Sequence, residues 1–355
     1  MTIQLLICTE KTTPRRLIKW KYTALFSFLL IEVSALGSSP QVATLTQVQG
    51  TVKIFTHPSK TLQPHRAQAG KNGPPHALFE NEYYLVEDAK LGSPIEKGNI
   101  VRTTPGSKAR VIYPNGDQFY IGSGTAYRVT WNEEASLPKV EVNLMYGKLR
   151  GIIEKGGPRT QLLIKTKSAI MGVRGTDFFI SSGGINEATQ VTTIRGEVGI
   201  TPRVIHKNQP IETIQVMTGF TGEVNLNAAQ ALQTEPKVEL KKTDQRELTQ
   251  IKQSVKINSE PGPKVVEPQL NQTLASLEKK ATQTTLNDIK IYDKVLYENI
   301  KQGIQPGSVD DVNNAAVENL FKAAPKGPTL RKPSKGEIED TEDGAYERYF
   351  KNEDH

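Results

Sequence analysis

From Ile100 to about residue 217 the chain repeats short apolar runs separated by turn residues, and no long helical period interrupts them. The sharpest local signal is Pro114-Asn115-Gly116-Asp117, flanked by Ala109-Arg110-Val111-Ile112-Tyr113 and Gln118-Phe119-Tyr120-Ile121. Asn-Gly between apolar runs predicts a hairpin, because both residues accept φ > 0. Further strands are expected at 126–131, 139–145, 161–166, 176–181, 189–194 and 213–217, and Val42 to Phe55 alternates as an earlier strand. Short strands at this density predict an all-β domain over 41–226. Residues 57–77, rich in Pro, Gly, His, Gln and Lys, read as an exposed loop insertion. Gly50-Thr51-Val52, Gly147-Lys148-Leu149, Gly196-Glu197-Val198 and Gly222-Glu223-Val224 each follow a strand-like run, and each glycine would turn or bulge the chain. Their irregular spacing suits short stacked strands in a solenoid-like or sandwich arrangement and excludes a fixed-period array.

The pattern changes over 227–324. Leu248, Ile251 and Val255 have helical spacing, as do Leu270, Leu274 and Leu277, then Leu286, Ile289, Leu296 and Ile300 after a phase slip. Ser308 and Asp311 resemble a capping box ahead of a stripe of Val309, Val312, Ala316 and Leu320, which Pro325-Lys326-Gly327-Pro328 ends. Glu260-Pro261-Gly262-Pro263 reads as a linker between helices. These narrow stripes fit a helical region packed on itself, on the β-domain or on a partner. Residues 325–355 read as a disordered tail, with eight acidic and two basic residues from Glu337 onward.

The only cysteine among the 355 residues is Cys8, so no disulfide framework, cysteine metal site or catalytic thiol is available in the body of the chain. A net charge of +7 is too slight to mark a nucleic-acid binder. Arg15-Arg16-Leu17-Ile18-Lys19-Trp20-Lys21, the apolar run from Tyr22 to Leu36 and Val33-Ser34-Ala35 have the form of a secretory signal, residues 1–35, cleaved after Ala35. A retained membrane anchor is the alternative, although the run carries Glu32 and is shorter than the roughly 20 apolar residues a span needs. Cleavage would leave a chain without cysteine and with a net charge of +4. Under either reading the chain is exported to the periplasm or cell envelope of a bacterium.

The run Ile170-Met171-Gly172-Val173-Arg174-Gly175-Thr176-Asp177-Phe178 resembles the Gly-Val-Arg-Gly-Thr-x-Phe signature of the FecR-like domain. Leu91 to Thr103 with Gly106-Ser107-Lys108-Ala109, the Asn115-Gly116-Asp117 hairpin, Leu144 to Arg150 and Thr193-Ile194-Arg195-Gly196-Glu197-Val198 follow the family's order. The resemblance covers about 85 to 225, with Gly98-Asn99 in place of the family's Gly-Asp. Members that regulate sigma factors carry a cytoplasmic anti-sigma segment before a transmembrane helix. Only about twenty residues precede the apolar run here, so the resemblance implies the extracytoplasmic module without that segment. In regulators of the family this module helps relay a signal from an outer-membrane receptor.

Gly172-Val173-Arg174-Gly175-Thr176 lacks the Lys-Ser or Lys-Thr of a phosphate loop. Two glycines let the backbone turn tightly around Arg174, which is expected to be a buried clamp held by carbonyls or by a carboxylate such as Asp177. Gly172, Val173, Arg174, Gly175, Thr176 and Phe178 are therefore structural-motif candidates. Residues 139–174 hold eight basic and two acidic residues, and Lys148, Arg150, Arg159, Lys165 and Lys167 are the candidates for a basic partner-binding face. The bland alternative is solubility charge on outward strand positions. His57, His65, His76, His206 and His355 lack metal-ligand spacing, and adjacent Glu133 and Glu134 make no glycosidase pair. No acid, base and nucleophile set is visible.

Two classes of function fit. The first is a non-enzymatic envelope module, without cofactor or metal, that scaffolds or relays a signal by binding a protein partner such as an outer-membrane component. The second is a binder of cell-wall glycan or another envelope polymer, with Tyr120, Tyr127 and Trp131 stacking on sugars. An enzyme ranks third.

Overall fold

The computed structural model describes residues 41–60, 76–132, 139–156, 161–183, 187–203, 212–232, 234–258, 268–303 and 309–325. The first strands are β1 (Gln41–Gln49), β2 (Val52–Ser59), β3 (His76–Phe79), β4 (Glu82–Asp88), β5 (Pro94–Glu96) and β6 (Ile100–Thr103). They are followed by β7 (Lys108–Ile112), β8 (Gln118–Ile121), β9 (Ala126–Asn132), β10 (Lys139–Ile152), β11 (Gln161–Lys165) and β12 (Ala169–Val173). The last are β13 (Asp177–Gly183), β14 (Ala188–Arg195), β15 (Glu197–Pro202), β16 (Ile214–Met217), β17 (Phe220–Asn225) and β18 (Val238–Lys242). The helices are α1 (Leu226–Ala231), between β17 and β18, then α2 (Gln245–Val255), α3 (Pro268–Tyr292), α4 (Lys294–Gly303) and α5 (Val309–Ala323). The chain is mostly β with a C-terminal helical region, as its patterning predicts.

The strands form two hydrogen-bonded layers that share β10. The first layer runs β5-β1-β7-β8-β10-β13-β14-β17-β18. The second runs β3-β4-β2-β6-β9-β10-β11-β12-β15-β16. Only β10 and β11 pair in parallel among the described strands. Residues 139–146 of β10 pair with β9, and residues 147–152 pair with β13. The change of layer falls at Gly147, whose φ is +101°, just after a register shift between Leu144 and Tyr146. A Cβ there would lie 2.5 Å from Thr125 Cα, so both the dihedral and the close approach require glycine.

The two layers enclose one core. Leu45, Val111, Phe119, Leu149, Phe178 and Val191 of the first meet Ile54, Val101, Tyr127, Val142, Ile164 and Val198 of the second. Alternation along each strand leaves the first layer with a second face, and the helices cover it. Tyr120, Ile152, Phe179 and Ile194 pack with Leu248, Ile251 and Val255 of α2 and with Ala316 and Val317 of α5. Ile112 packs with Ala281 of α3 and Val309 of α5. Helix α4 adds Ile300, against Ile289 of α3 and Val312 of α5. Helix α2 begins with a complete capping box: Asp244 accepts from the Arg246 and Glu247 backbone, and Glu247 accepts from the Asp244 N–H.

Several expectations need adjustment. The hairpin after β7 forms, but Gly116 N–H bonds to Tyr113 O (2.9 Å), so Pro114 and Asn115 occupy the turn centre. Only Gly116 of the Asn-Gly pair takes a positive φ, of +96°. Strand β2 continues to Ser59 and β3 begins at His76, which narrows the expected 57–77 insertion, and residues 61–75 lie outside the described set. Strand β18 sits inside the stretch read as helical because it is the exposed outer strand of the first layer, with only Val238 and Leu240 alternating to announce it. In α3 the buried side chains are Ala281, Thr282, Thr284, Thr285, Asp288 and Ile289, while Leu270, Leu274 and Leu277 are half-buried. The signal segment, the Ser308 cap, the Glu260–Pro263 linker and the acidic tail lie outside the described residues.

Gly147→Ala is expected to cost about 1–3 kcal/mol from the backbone dihedral alone. A fall in the denaturation midpoint, with both layers lost in one transition, checks this.

Candidate functional site

The helix-covered face of the first layer is polar where a sandwich face would ordinarily be apolar. Strand register sets Arg110 of β7, Tyr120 of β8, Arg150 of β10 and Phe179 of β13 in one row. The next row is Ile112, Gln118, Ile152, Asp177 and Arg195 of β14. All nine are buried, with Arg110 and Arg150 each 1% exposed.

Arg150 donates from Nε and Nη2 to the two carboxylate oxygens of Asp177, at 2.9 and 2.8 Å. Its Nη2 also donates to the carbonyl of Asn313 in α5 at 2.8 Å. Burial opposes the Arg150 charge, but Asp177 outweighs it and holds the guanidinium more basic than usual. The Asn313 amide donates to Tyr120 Oη (2.7 Å) and Gln118 Oε1 (2.9 Å). The Tyr120 hydroxyl donates to Asp310 Oδ1 at 2.7 Å, and burial pushes its pKa up to about 12. Arg110 donates to the same oxygen at 2.7 Å, to Thr46 Oγ1 at 3.1 Å and to Glu278 of α3. Tyr120 lies between two guanidinium groups, 5.7 Å from that of Arg110 and 5.9 Å from that of Arg150.

The third arginine is held differently. Arg195 is 5% exposed; Asp288 of α3 stands 3.7 Å from its Nη2, and the Asp177 charge also acts on it. None of its three guanidinium nitrogens makes a hydrogen bond, and neither does Asp288 Oδ2. Burial lowers the Arg195 pKa and raises that of Asp288. Beside them the Lys155 N–H donates to Asp288 Oδ1 (3.3 Å), the Lys155 ammonium lies 4.5 Å from the Tyr292 ring centroid, and the Tyr292 hydroxyl donates to Gly175 O (3.0 Å).

The Gly-Val-Arg-Gly-Thr corner carries a correction. Arg174 is exposed, and the buried clamp is Arg150 with Asp177. The reason is register: Val173 and Phe178 point into the core, which turns Arg174 outward, while Gly175 takes a φ of +64°. Gly172 is exposed on β12, opposite Gly199 of β15, and buried Thr176 donates to Glu197 O at 2.9 Å. A Cβ on Gly175 would lie 2.5 Å from Lys155 Cα, so this corner is built for close packing.

The basic candidates do not form one face. Arg150 is an internal clamp instead of a surface contact. Lys165 pairs with Glu141 at 2.6 Å on the second layer, Lys167 pairs with Glu187, and Lys148 is half-buried. Arg159 lies outside the described residues. Of the sugar-stacking candidates, Tyr120 and Tyr127 are 3% and 0% exposed and cannot receive a sugar. The Trp131 side chain lies outside the described set, as do Glu133, Glu134, His65, His206 and His355, while His57 and His76 are exposed. The family's aspartate at position 99 is replaced without loss of the turn, since Asn99 Oδ1 accepts from the Glu96 N–H at 2.9 Å. Sequence reasoning did not single out Arg110, Arg195, Glu278, Asp288, Asp310 or Asn313, whose pairings span 168 to 200 positions where Arg110 meets α3 and α5.

Arg150→Ala leaves Asp177 buried without its partner and is expected to cost about 3–5 kcal/mol. Arg174→Ala should stay within about 0.5 kcal/mol of the parent. Paired urea denaturation curves decide this. Asp288 gives a separate pH signature. Its folded pKa stands above the ordinary 3.8, so the folded chain binds the proton more tightly than the unfolded chain. Its contribution to stability therefore falls as pH rises from 3.8 through the raised value. The stability of the parent relative to Asp288→Asn should decline across that window and then level.

Among the described residues no helix is long and apolar enough to cross a membrane, and no cluster of His, Cys, Asp or Glu could hold a metal ion. No curated protein matches the chain. Two crystal structures, at 1.65 and 2.50 Å, of a protein from Parabacteroides distasonis ATCC 8503 provisionally described as an anti-sigma factor are similar to it. Each aligns at 18% identity and a TM-score of 0.33, over 42% of this chain and 62% of that one. The chain thus spans less than two thirds of that protein. The family model described as FecR protein matches residues 99–199, from the turn before β6 to the middle of β15. That span holds the Arg110, Arg150, Asp177 and Arg195 positions together with the Gly-Val-Arg-Gly-Thr corner, and it gives the chain a FecR domain at the centre of its two β-layers.

Proposed function

We propose that this chain is a non-enzymatic module of the bacterial cell envelope that recognises a protein partner and takes part in signal relay. The FecR match over 99–199 carries the reading, because it supports a regulatory role in signal transduction. The N-terminal basic and apolar segment supports export. The polar side chains of the helix-covered face are used in pairing the FecR domain to α3 and α5, which favours a binding device over a reaction centre. The glycan reading loses Tyr120 and Tyr127, both buried, and is not carried further.

The test is cross-linking in intact cells of the tagged full chain, followed by fractionation and mapping of the cross-linked peptides. The expected result is recovery in the envelope fraction, an N-terminus near Leu36 or Ser38, and adducts to one envelope protein. An intact Met1 in the cytoplasm would remove the envelope reading. Recovery in the envelope bound to polysaccharide, with no protein adduct, would replace the partner reading with the polymer one.

A further inference from the structure

We propose that the face bearing Arg110 and Arg195 is a docking surface for an acidic, amphipathic segment of a partner protein, and that α3 and α5 occupy it as an intramolecular stand-in. The inference rests on the partner-binding reading above and names the surface and the chemistry of the partner. Helices α3 and α5 offer what such a segment would offer: Glu278 and Asp310 to Arg110, Asp288 to Arg195, and apolar Ala281, Val309 and Val317 to the strand face. The carboxylates at Arg110 sit at the rim, with Glu278 33% and Asp310 34% exposed, so a competitor can reach them.

Arg195 supplies the independent observation. A guanidinium that is desolvated without any hydrogen bond bears the cost of burial with only the charges of Asp177 and Asp288 to offset it. The helices therefore leave one of their anchoring cations incompletely matched, and a segment that brings a carboxylate within hydrogen-bond distance of Arg195 gains what α3 does not. Arg150 stays neutralised by Asp177 whether or not the helices are docked, since both belong to the strands. Lifting α3 also frees Lys155 from Tyr292, which adds a cation beside Arg195. Between the cations lie Ile112, Ile152 and Phe179, so the fitting ligand alternates carboxylates with small apolar side chains, as α5 does.

The test uses the full chain with Glu278→Lys and Asp310→Lys, which set two ammonium groups against Arg110. The probe is a fluorescent peptide of sequence 309–323, with a control peptide carrying Asp310→Lys. Hydrogen exchange should show α5 amides unprotected in the variant and β10 amides unchanged. The variant should bind the probe at least tenfold more tightly than the parent does. Adding Arg110→Ala, or using the control peptide, should weaken binding at least tenfold. Should the charge-reversed chain fail to fold, the parent at low salt with excess probe gives a second route: α5 amides should exchange faster while β10 stays protected. The proposal is overturned by an opened variant that binds the probe no better than the parent, by equal binding of the control peptide, or by unchanged α5 exchange at saturating probe. A partner cross-linked elsewhere on the chain would leave the proposed function standing and remove only this assignment.

Discussion

A charged layer between a sheet and its covering helices has to satisfy two conditions at once, and the Arg150–Asp177 pair is what lets it do so. Taking two ions out of water is expensive, and their attraction repays it only with good geometry and further hydrogen bonds. Both carboxylate oxygens are used, and Nη2 also donates to the Asn313 carbonyl. That last bond ties the centre of the FecR domain to α5. Tyr120, Gln118 and Asn313 extend the network sideways to Asp310 and Arg110. Removing the pair would strand the remaining polar atoms, so the helical layer depends on it without touching most of it directly.

The network is also graded. At its centre the Nε and Nη2 donors of the clamp find a carboxylate or a carbonyl. Toward Arg195 the matching thins to an ion pair at 3.7 Å with unbonded nitrogens. The helices are thus anchored tightly near Asn313 and Asp310 on α5 and more loosely near Asp288 on α3. Apolar contacts from α2, which has its own capping box, stand outside this gradient.

Much of the β-architecture was legible because period-2 patterning and turn chemistry are local. Strands β7, β8, β9, β13, β14 and β16 fall where alternation places them. The β3–β4 turn was not legible: Glu80 and Asn81 take φ of +50° and +64° with no Asn-Gly pair to announce it. Arg174 illustrates a deeper limit. A glycine-flanked arginine near an aspartate looks like a clamp, yet one residue of register decides whether a side chain faces in or out. Asp177 was read as one possible partner of Arg174, whereas the arginine it holds arrives from β10, 27 positions earlier. The buried side of α3 was hidden for another reason. It is lined by threonines, alanine and aspartate as well as Ile289, so apolar spacing finds Ile289, Leu277 and Leu286 but misses the polar positions that fit the sheet face.

The strand β10 makes a demand on the order of assembly. Its first half closes the second layer against β9 and β11, and its second half closes the first against β8 and β13. Strands β1 to β9 can form hairpins and local pairings earlier, but neither layer is continuous until residues 139–152 are seated. Non-local strand pairing is slow because chain entropy is lost before contacts compensate. This one segment therefore acts as the keystone of folding: before it is placed, two partial sheets present open edges, and afterwards the rest of the FecR domain adds to a finished template.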